Sequence, residues 1–374
     1  MAGKRFSLVV QFFFFFFLSS ATAQARWWRV QTKGTDTNLR AVAAVYAHDR
    51  NGVQFPVVWT SGSNGVILKS LDAGKTWLRL HVKDGDALDF RGIVAFSEKT
   101  AYVMSSGEAD KSRIYKTTDG GETWNLQYSD NRKEFFLDSI ACLYETECMA
   151  LGDPINGKFL LLRTSDGEHW SPLPTDNMPS ALGGEGAFAA SNSCLKLPGE
   201  KEIYFATGGP AARVFLSKDG GLSWTVTRTP LVQGNASSGI FAVVGDESDR
   251  IIVVGGDYKD PAYSERVAAT SLDNGKTWRL AAGQPGGFRS ALALIDHERM
   301  VAVGPNGEDV TNDSGAHWKH TDSLNLNAVA ILDIAAGWAV GPHGTIARFV
   351  NHFDYRHSSS ESPQQRTVPR ARQR

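Results

Sequence analysis

The stretch Thr117-Thr-Asp119-Gly-Gly121-Glu-Thr-Trp124 decides how this chain is read, because it returns five more times. Four copies keep its length: Ser70-Leu-Asp72-Ala-Gly74-Lys-Thr-Trp77, Ser217-Lys-Asp219-Gly-Gly221-Leu-Ser-Trp224, Ser271-Leu-Asp273-Asn-Gly275-Lys-Thr-Trp278 and Thr311-Asn-Asp313-Ser-Gly315-Ala-His-Trp318. A fifth, Thr164-Ser-Asp166-Gly-Glu-His-Trp170, is one residue short. Six of the ten tryptophans lie in these copies, so the repeat governs the whole chain. An Asp followed two residues later by Gly, between apolar runs, is hairpin-turn chemistry. Its carboxylate accepts nearby backbone N–H groups, and Gly supplies the left-handed backbone that other residues resist. The Trp opens the outgoing strand and is large enough to wedge against a neighbouring unit. Because the turn consumes the Asp, the repeat speaks for fold and not for catalysis.

From Asp72 to Asp313 the Asp-to-Asp intervals are 47, 47, 53, 54 and 40 residues, about one four-stranded propeller blade each. Within a unit an apolar strand comes first, as in Arg40-Ala-Val-Ala-Ala-Val45, Gly92-Ile-Val-Ala-Phe96 and Ser290-Ala-Leu-Ala-Leu-Ile295. A second strand ends in a glycine turn, a third enters the repeated phrase, and a fourth leaves from its Trp. A seventh unit starts at Leu326-Asn-Ala-Val-Ala-Ile-Leu332, runs to Ile346-Ala-Arg-Phe349, and stops without the phrase. Near the chain start, Trp27-Trp28-Arg-Val-Gln-Thr32 resembles the strand leaving each Trp. The expectation is an all-β, seven-bladed propeller over residues 26–355, with the N-terminal strand closing the last blade so that no sheet edge stays open.

Ahead of that domain, Lys4 and Arg5 precede an apolar run from Phe6 to Leu18 and the small residues Ser19 to Ala23. Residues 1–25 therefore read as a secretory signal, with an apolar stretch too short for an ordinary membrane span. The expected location is exported, periplasmic or extracellular, with no membrane span after signal cleavage. Residues 356–374 turn to Ser, Gln, Pro and Arg and read as a disordered basic tail. Between them the body carries a net charge of −7, which argues against nucleic acid, since that would need a basic face. In an exported protein Cys142 and Cys148 have the spacing of a cross-strand disulfide, leaving Cys194 as a free, buried thiol.

The sequence holds no HExxH, CxxC, Gly-x-Ser-x-Gly or phosphate loop, and its nine histidines form no ligand pair of metal spacing. No cofactor and no metal are expected. One constellation emerges when the units are aligned on their first strands. The residue just ahead of each is Arg40, Arg91, Asp138, Glu185, Ser238, Arg289 and Asn327. Those positions would ring the mouth of the central channel, with Asp153, Asp257, Tyr258 and His343 on neighbouring loops. Three arginines there can grip an anionic group, and they can equally neutralise the two carboxylates in a water-filled ring.

The phrase matches the Asp box, also called the bacterial neuraminidase repeat. Over residues 27–349 the units resemble the photosystem II stability/assembly factor family. In that family a blade reads apolar strand, Val-Gly-x-x-Gly turn, apolar strand, then the box. Val303-Gly-Pro-Asn-Gly307 and Val340-Gly-Pro-His-Gly344 match the turn, and Thr117 to Trp124 matches the box. The resemblance implies a non-catalytic propeller that acts by binding protein, and the chain is read as a monomer. The alternative is a sialidase-like or endoglucanase-like glycoside hydrolase with its site at the channel mouth, Asp138 and Glu185 being its candidate carboxylate pair. Against it stand the absent Phe/Tyr-Arg-Ile-Pro motif, a blade count of seven and the lack of an evident Tyr-Glu pair. A carbohydrate ligand without catalysis is the third reading.

Overall fold

The structure is a computed structural model that describes residues 27–33, 35–245 and 249–350. The signal expected over residues 1–25 and the tail expected over 356–374 lie outside the described residues. The described chain forms seven antiparallel sheets arranged as the blades of a propeller. Their innermost strands are Leu39–His48, Phe90–Ala95, Leu137–Tyr144, Leu195–Gly199, Asn235–Gly245, Ala291–Leu294 and Ala328–Asp333. Blade five also takes a two-residue strand, Gly208–Gly209, beside its innermost one.

The ring closes as the sequence anticipates. The strand Trp28–Lys33 pairs antiparallel with Thr345–Phe349 and becomes the outermost strand of blade seven. Pairing between the first and last described strands ties the two ends of the domain together and leaves blade seven with a full complement of four.

The repeated turns are built as their composition requires. In blade two, Gly121 N–H donates to Thr117 Oγ1 (2.9 Å), Thr123 N–H to Asp119 Oδ1 (3.0 Å) and Thr123 Oγ1–H to Asp119 Oδ2 (2.6 Å). Equivalent bonds hold the turns at Asp72, Asp219, Asp273 and Asp313. The short copy at Asp166 makes them with Glu168 and His169 N–H instead. Hydroxyl and backbone N–H donors push the Asp119, Asp219 and Asp273 carboxyls down to about 2. Gly120 and Gly121 both lie at positive φ (84° and 90°), which is why two of the copies spend two consecutive glycines there.

The core consists of seven apolar clusters among the described residues, one at each junction between blades. Trp124, Trp170, Trp224, Trp278, Trp318 and Trp77 each enter the cluster shared with the preceding blade. Trp59 of blade one meets Trp124 edge to face, with centroids 6.3 Å apart. Blade seven has no repeated phrase, and its junction with blade six is filled by Trp27 and Trp28 from the N-terminal strand. Polar clasps add to these wedges. Lys69 of blade one donates to Gly120 O in the next blade's turn, and Lys116 of blade two to Gly167 O (3.0 Å).

Blade four departs from the sequence reading. The small apolar run Gly186-Ala-Phe-Ala-Ala190 looks like an innermost strand, with Glu185 just ahead of it. The innermost strand is instead Leu195–Gly199, paired with Glu202–Ala206. Residues 186–194 cross the central channel and bond to other blades' inner strands. Asn192 Oδ1 accepts from Ile140 N–H in blade three (2.7 Å). Ser193 O accepts from Val243 N–H in blade five (3.1 Å), and Ser191 Oγ–H donates to Ser290 O, ahead of blade six. The segment is a plug across the axis.

Candidate functional site at the channel mouth

The plug divides the axial space in two. Below it lies a chamber of about 520 Å³ walled by the innermost strands, where Val42, Ile93, Ile140 and Leu292 stand among the lining groups. Lys196 is its one charged lining residue among those described, and burial lowers the tendency of its amine to hold a proton. Above it lies a pocket of about 510 Å³ at the mouth. Its polar half comes from blades seven, one, two and three: Asn327, Arg40, Arg91, Asp138 and Asp153. Its apolar half is Phe188 of the plug with Phe241, Tyr258 and Phe288 of blades five and six.

Arg40 and Arg91 share one counter-ion that the sequence reading did not single out. Asp89 Oδ2 accepts from Arg91 Nε (2.8 Å) and lies 3.5 Å from Arg40 Nη2. A second Arg91 nitrogen donates to Ala189 O on the plug (3.1 Å). Both arginine side chains remain about a quarter exposed (24% and 28%), so they keep a face to solvent. The acid two residues before Arg91, in Asp89-Phe-Arg91, was the available signal. Two cations against one shared carboxylate leave a net positive patch on this side of the mouth.

Asp138 is 1% exposed, and its Oδ2 has no hydrogen-bond partner among the described residues. Burial raises its carboxyl well above the ordinary range; the charge of Asp153 adds to the rise and that of Arg91 opposes it. Burial pushes the neighbouring Asp153 carboxyl up to about 6, although Ala187 N–H donates to it (3.2 Å). The aromatic wall is closely packed. Phe188 stacks on Phe241 with centroids 3.8 Å apart and planes at 5°, and Phe288 stands edge-on to Phe241 at 4.6 Å. Tyr258 meets Phe188 edge-on and is about half exposed (47%).

The structure thus brings Arg40, Arg91, Asp138 and Asn327 into one pocket and places two expected members elsewhere. Arg289 is fully buried in blade six, where Nε donates to Asp309 Oδ2 (2.6 Å) and Nη1 to Phe288 O (2.8 Å). It holds the fold and offers no face to a ligand. Glu185 accepts from Thr207 Oγ1 (2.6 Å) and from Arg213 Nε (2.8 Å), on a different hollow. Asp138 has Asp153 as its carboxyl neighbour in the mouth pocket, while Glu185 is held by Thr207 and Arg213 in the adjoining hollow that Asp153 also lines. Ser238 is buried in the innermost strand of blade five; Asp257 accepts from Asn235 Nδ2 (3.0 Å), and His343 is exposed beside a tight turn. Cys142 and Cys148, opposite one another in blade three, are joined as a disulfide, and Cys194 is free and buried. Burial pushes the Cys194 thiol up to about 12, which leaves it without thiolate character. Among the described residues no group of three or more His, Cys, Asp or Glu is placed to hold a metal ion, and no helix is long and apolar enough to cross a membrane.

No protein-family model and no curated protein matches this chain. Solved structures do. A structure described as YCF48 bound to D1 peptide superposes with a TM-score of 0.61 at 16% identity, covering 87% of this chain and 97% of the other. YCF48 from Cyanidioschyzon merolae gives 0.59 at 16% identity, with coverage of 87% and 99%. The extracellular domain of a hybrid two-component system protein from B. thetaiotaomicron gives 0.55 at 11%, covering 87% of this chain and 40% of that one. At such identities the likeness is one of fold: the chain is a seven-bladed β-propeller built like YCF48.

Proposed function

We propose that this protein is a non-catalytic scaffold, exported to the periplasm or cell exterior, that captures a segment of a partner protein across the channel mouth. The observation that carries the reading is the pocket itself: two partly exposed arginines and a stacked aromatic wall, on a floor closed by the plug. Such a surface offers bidentate grip to an acidic group and apolar area to the residues beside it. The YCF48 structure with its D1 peptide supports it by showing that a propeller of this build holds a peptide. The six repeated turns are assigned to the Asp-box family as structural devices, and the kinship with photosystem II assembly factors is one of architecture and mode of action. The test is selection of displayed random peptides on the wild-type protein and on the Arg40→Ala/Arg91→Ala variant. A common acidic motif enriched on the wild type and lost on the variant is the expected result. Equal enrichment on both, or none on either, overturns the reading.

A further inference from the structure

Asp138 is the one carboxyl lining the mouth pocket that is almost fully buried, and its Oδ2 meets no donor among the described residues. A buried polar atom without a partner is costly and rare in folded proteins. Asp153 lines the same pocket, and its charge adds to the rise of the Asp138 carboxyl. Arg91 opposes the rise of the Asp138 carboxyl only in part. Arg91 is drawn away by Asp89 and by the plug carbonyl of Ala189, and Arg40 turns to the same Asp89. The same pocket is lined by Phe188, Phe241 and Phe288. What satisfies a pocket with this lining is a long apolar stem ending in a compact cation, the shape of a lysine side chain.

We propose that the mouth pocket is a lysine socket: a lysine of the bound segment lays its methylenes along the Phe188–Phe241 wall and places its ammonium between Asp138 and Asp153. This rests on the peptide-capture reading and adds the chemistry of the residue that enters. Aromatic faces beside the stem favour the cation further, and the pair gains the positive charge whose lack keeps both carboxyls crowded. Arg40 and Arg91 then take an acidic neighbour of that lysine, so the preferred segment carries both signs.

The charged and titratable groups around the pair are Arg91 and Asp89 from blade two, Arg40 from blade one, Cys194 at the end of the plug, and Glu134 and Glu185 in the hollow that Asp153 also lines. Burial holds the Asp138 carboxyl well above the ordinary range and pushes that of Asp153 up to about 6. Both are neutral at the acidic end, so the socket holds an ammonium poorly there and better as pH rises through about 6, where Asp153 ionises.

The experiment titrates the full chain with Nα-acetyl-lysine methylamide and with the norleucine analogue, which has the stem but no charge. On the wild type at pH 7.5 the lysine probe is expected to bind at least tenfold more tightly than the norleucine probe, with most of the preference lost at pH 5. Asp138→Asn, nearly isosteric, should bring the two probes to within twofold of each other; if it does not fold, Asp153→Asn serves in its place. Pentylammonium, which has a free amine and no peptide unit, separates a bare amine site from a lysine site. Binding of pentylammonium as tight as that of the lysine probe overturns the choice of a peptide lysine. Equal binding of lysine and norleucine probes to the wild type, or an unchanged ratio in the variant, overturns the socket. Because these probes need no partner, the result is separate from the display selection, which alone decides whether a segment is captured.

Discussion

Glu308→Gln is expected to stabilise the protein at alkaline pH and to leave it unchanged at acidic pH. Glu308 lies on the strand Gly307–Thr311 of blade six and is fully buried. One carboxyl oxygen accepts from Thr321 Oγ1 (2.7 Å), and the other has no partner among the described residues. Burial, with the charges of Asp322 and Asp309 adding to it, pushes the carboxyl up to about 8 from an ordinary 4.5. The native state therefore keeps a proton that the unfolded chain has already released. The stability this group allows is fully present below about pH 4.5 and is lost as pH rises to about 8. One pKa unit corresponds to about 1.4 kcal/mol, so the loss over that window comes to roughly 3–5 kcal/mol. Gln keeps the shape and the acceptor for Thr321 but cannot ionise. Chemical denaturation followed by tryptophan fluorescence at pH 4.5, 6.5 and 8.5, wild type beside variant, reads the difference directly. The gap should open steadily with pH in favour of Gln. A gap that does not depend on pH, or one that favours Glu at pH 8.5, would refute the reasoning, because it would mean the native state holds the charged carboxylate.

Trp224→Ala empties part of the junction between blades three and four and should cost about 3–5 kcal/mol of stability in a denaturant titration. Asp119→Ala should lower the melting temperature through loss of the Thr123 bonds while leaving peptide selection unchanged; loss of selection with full stability would mean that the turn is a binding element. Deleting residues 26–34 removes the outermost strand of blade seven together with Trp27 and Trp28, and should yield aggregates in size-exclusion chromatography rather than a monomer. In non-reduced digests of exported protein, Cys142 should appear cross-linked to Cys148 and Cys194 as a free thiol.

The fold was legible because the repeat writes the same local physics six times. Asp, Gly and Trp at fixed spacing specify a turn and a wedge, and Trp27-Trp28 could be matched to blade seven because they look like a strand leaving such a wedge. The site was legible only in part. Alignment on innermost strands found Arg40, Arg91, Asp138 and Asn327, all on units that follow the common pattern. It misplaced Glu185 because Gly186-Ala-Phe-Ala-Ala190 has the composition of an inner strand, and composition does not tell a strand from a segment that crosses the axis. It took Arg289 for a solvated cation because nothing local shows that Asp309, on the next-but-one strand, closes over it. The aromatic wall was out of reach for a similar reason: Phe188, Phe241 and Phe288 meet only through the plug and the closed ring.

The mouth pocket exists where the repeat is broken. Seven equivalent blades enclose a straight channel, and a straight channel offers any ligand a ring of similar contacts with no bottom. The interval of 53 residues between Asp166 and Asp219 gives blade four room for a segment that the earlier 47-residue units lack. That segment spends its polar groups, Ser191, Asn192 and Ser193, on the inner strands of blades three and five and on the approach to blade six. Its apolar residue, Phe188, faces the mouth and completes the wall with Phe241. Its backbone also fixes Arg91 through Ala189 O, which keeps that cation from neutralising Asp138. One insertion thus gives the channel a floor and an apolar side, and it leaves Asp138 Oδ2 without a hydrogen-bond partner among the described residues. Shortening the plug should therefore abolish peptide selection and the lysine preference together, while the repeated turns and the tryptophan wedges outside the Trp224 cluster, which takes in Ala187 and Cys194 of the plug, keep the ring closed.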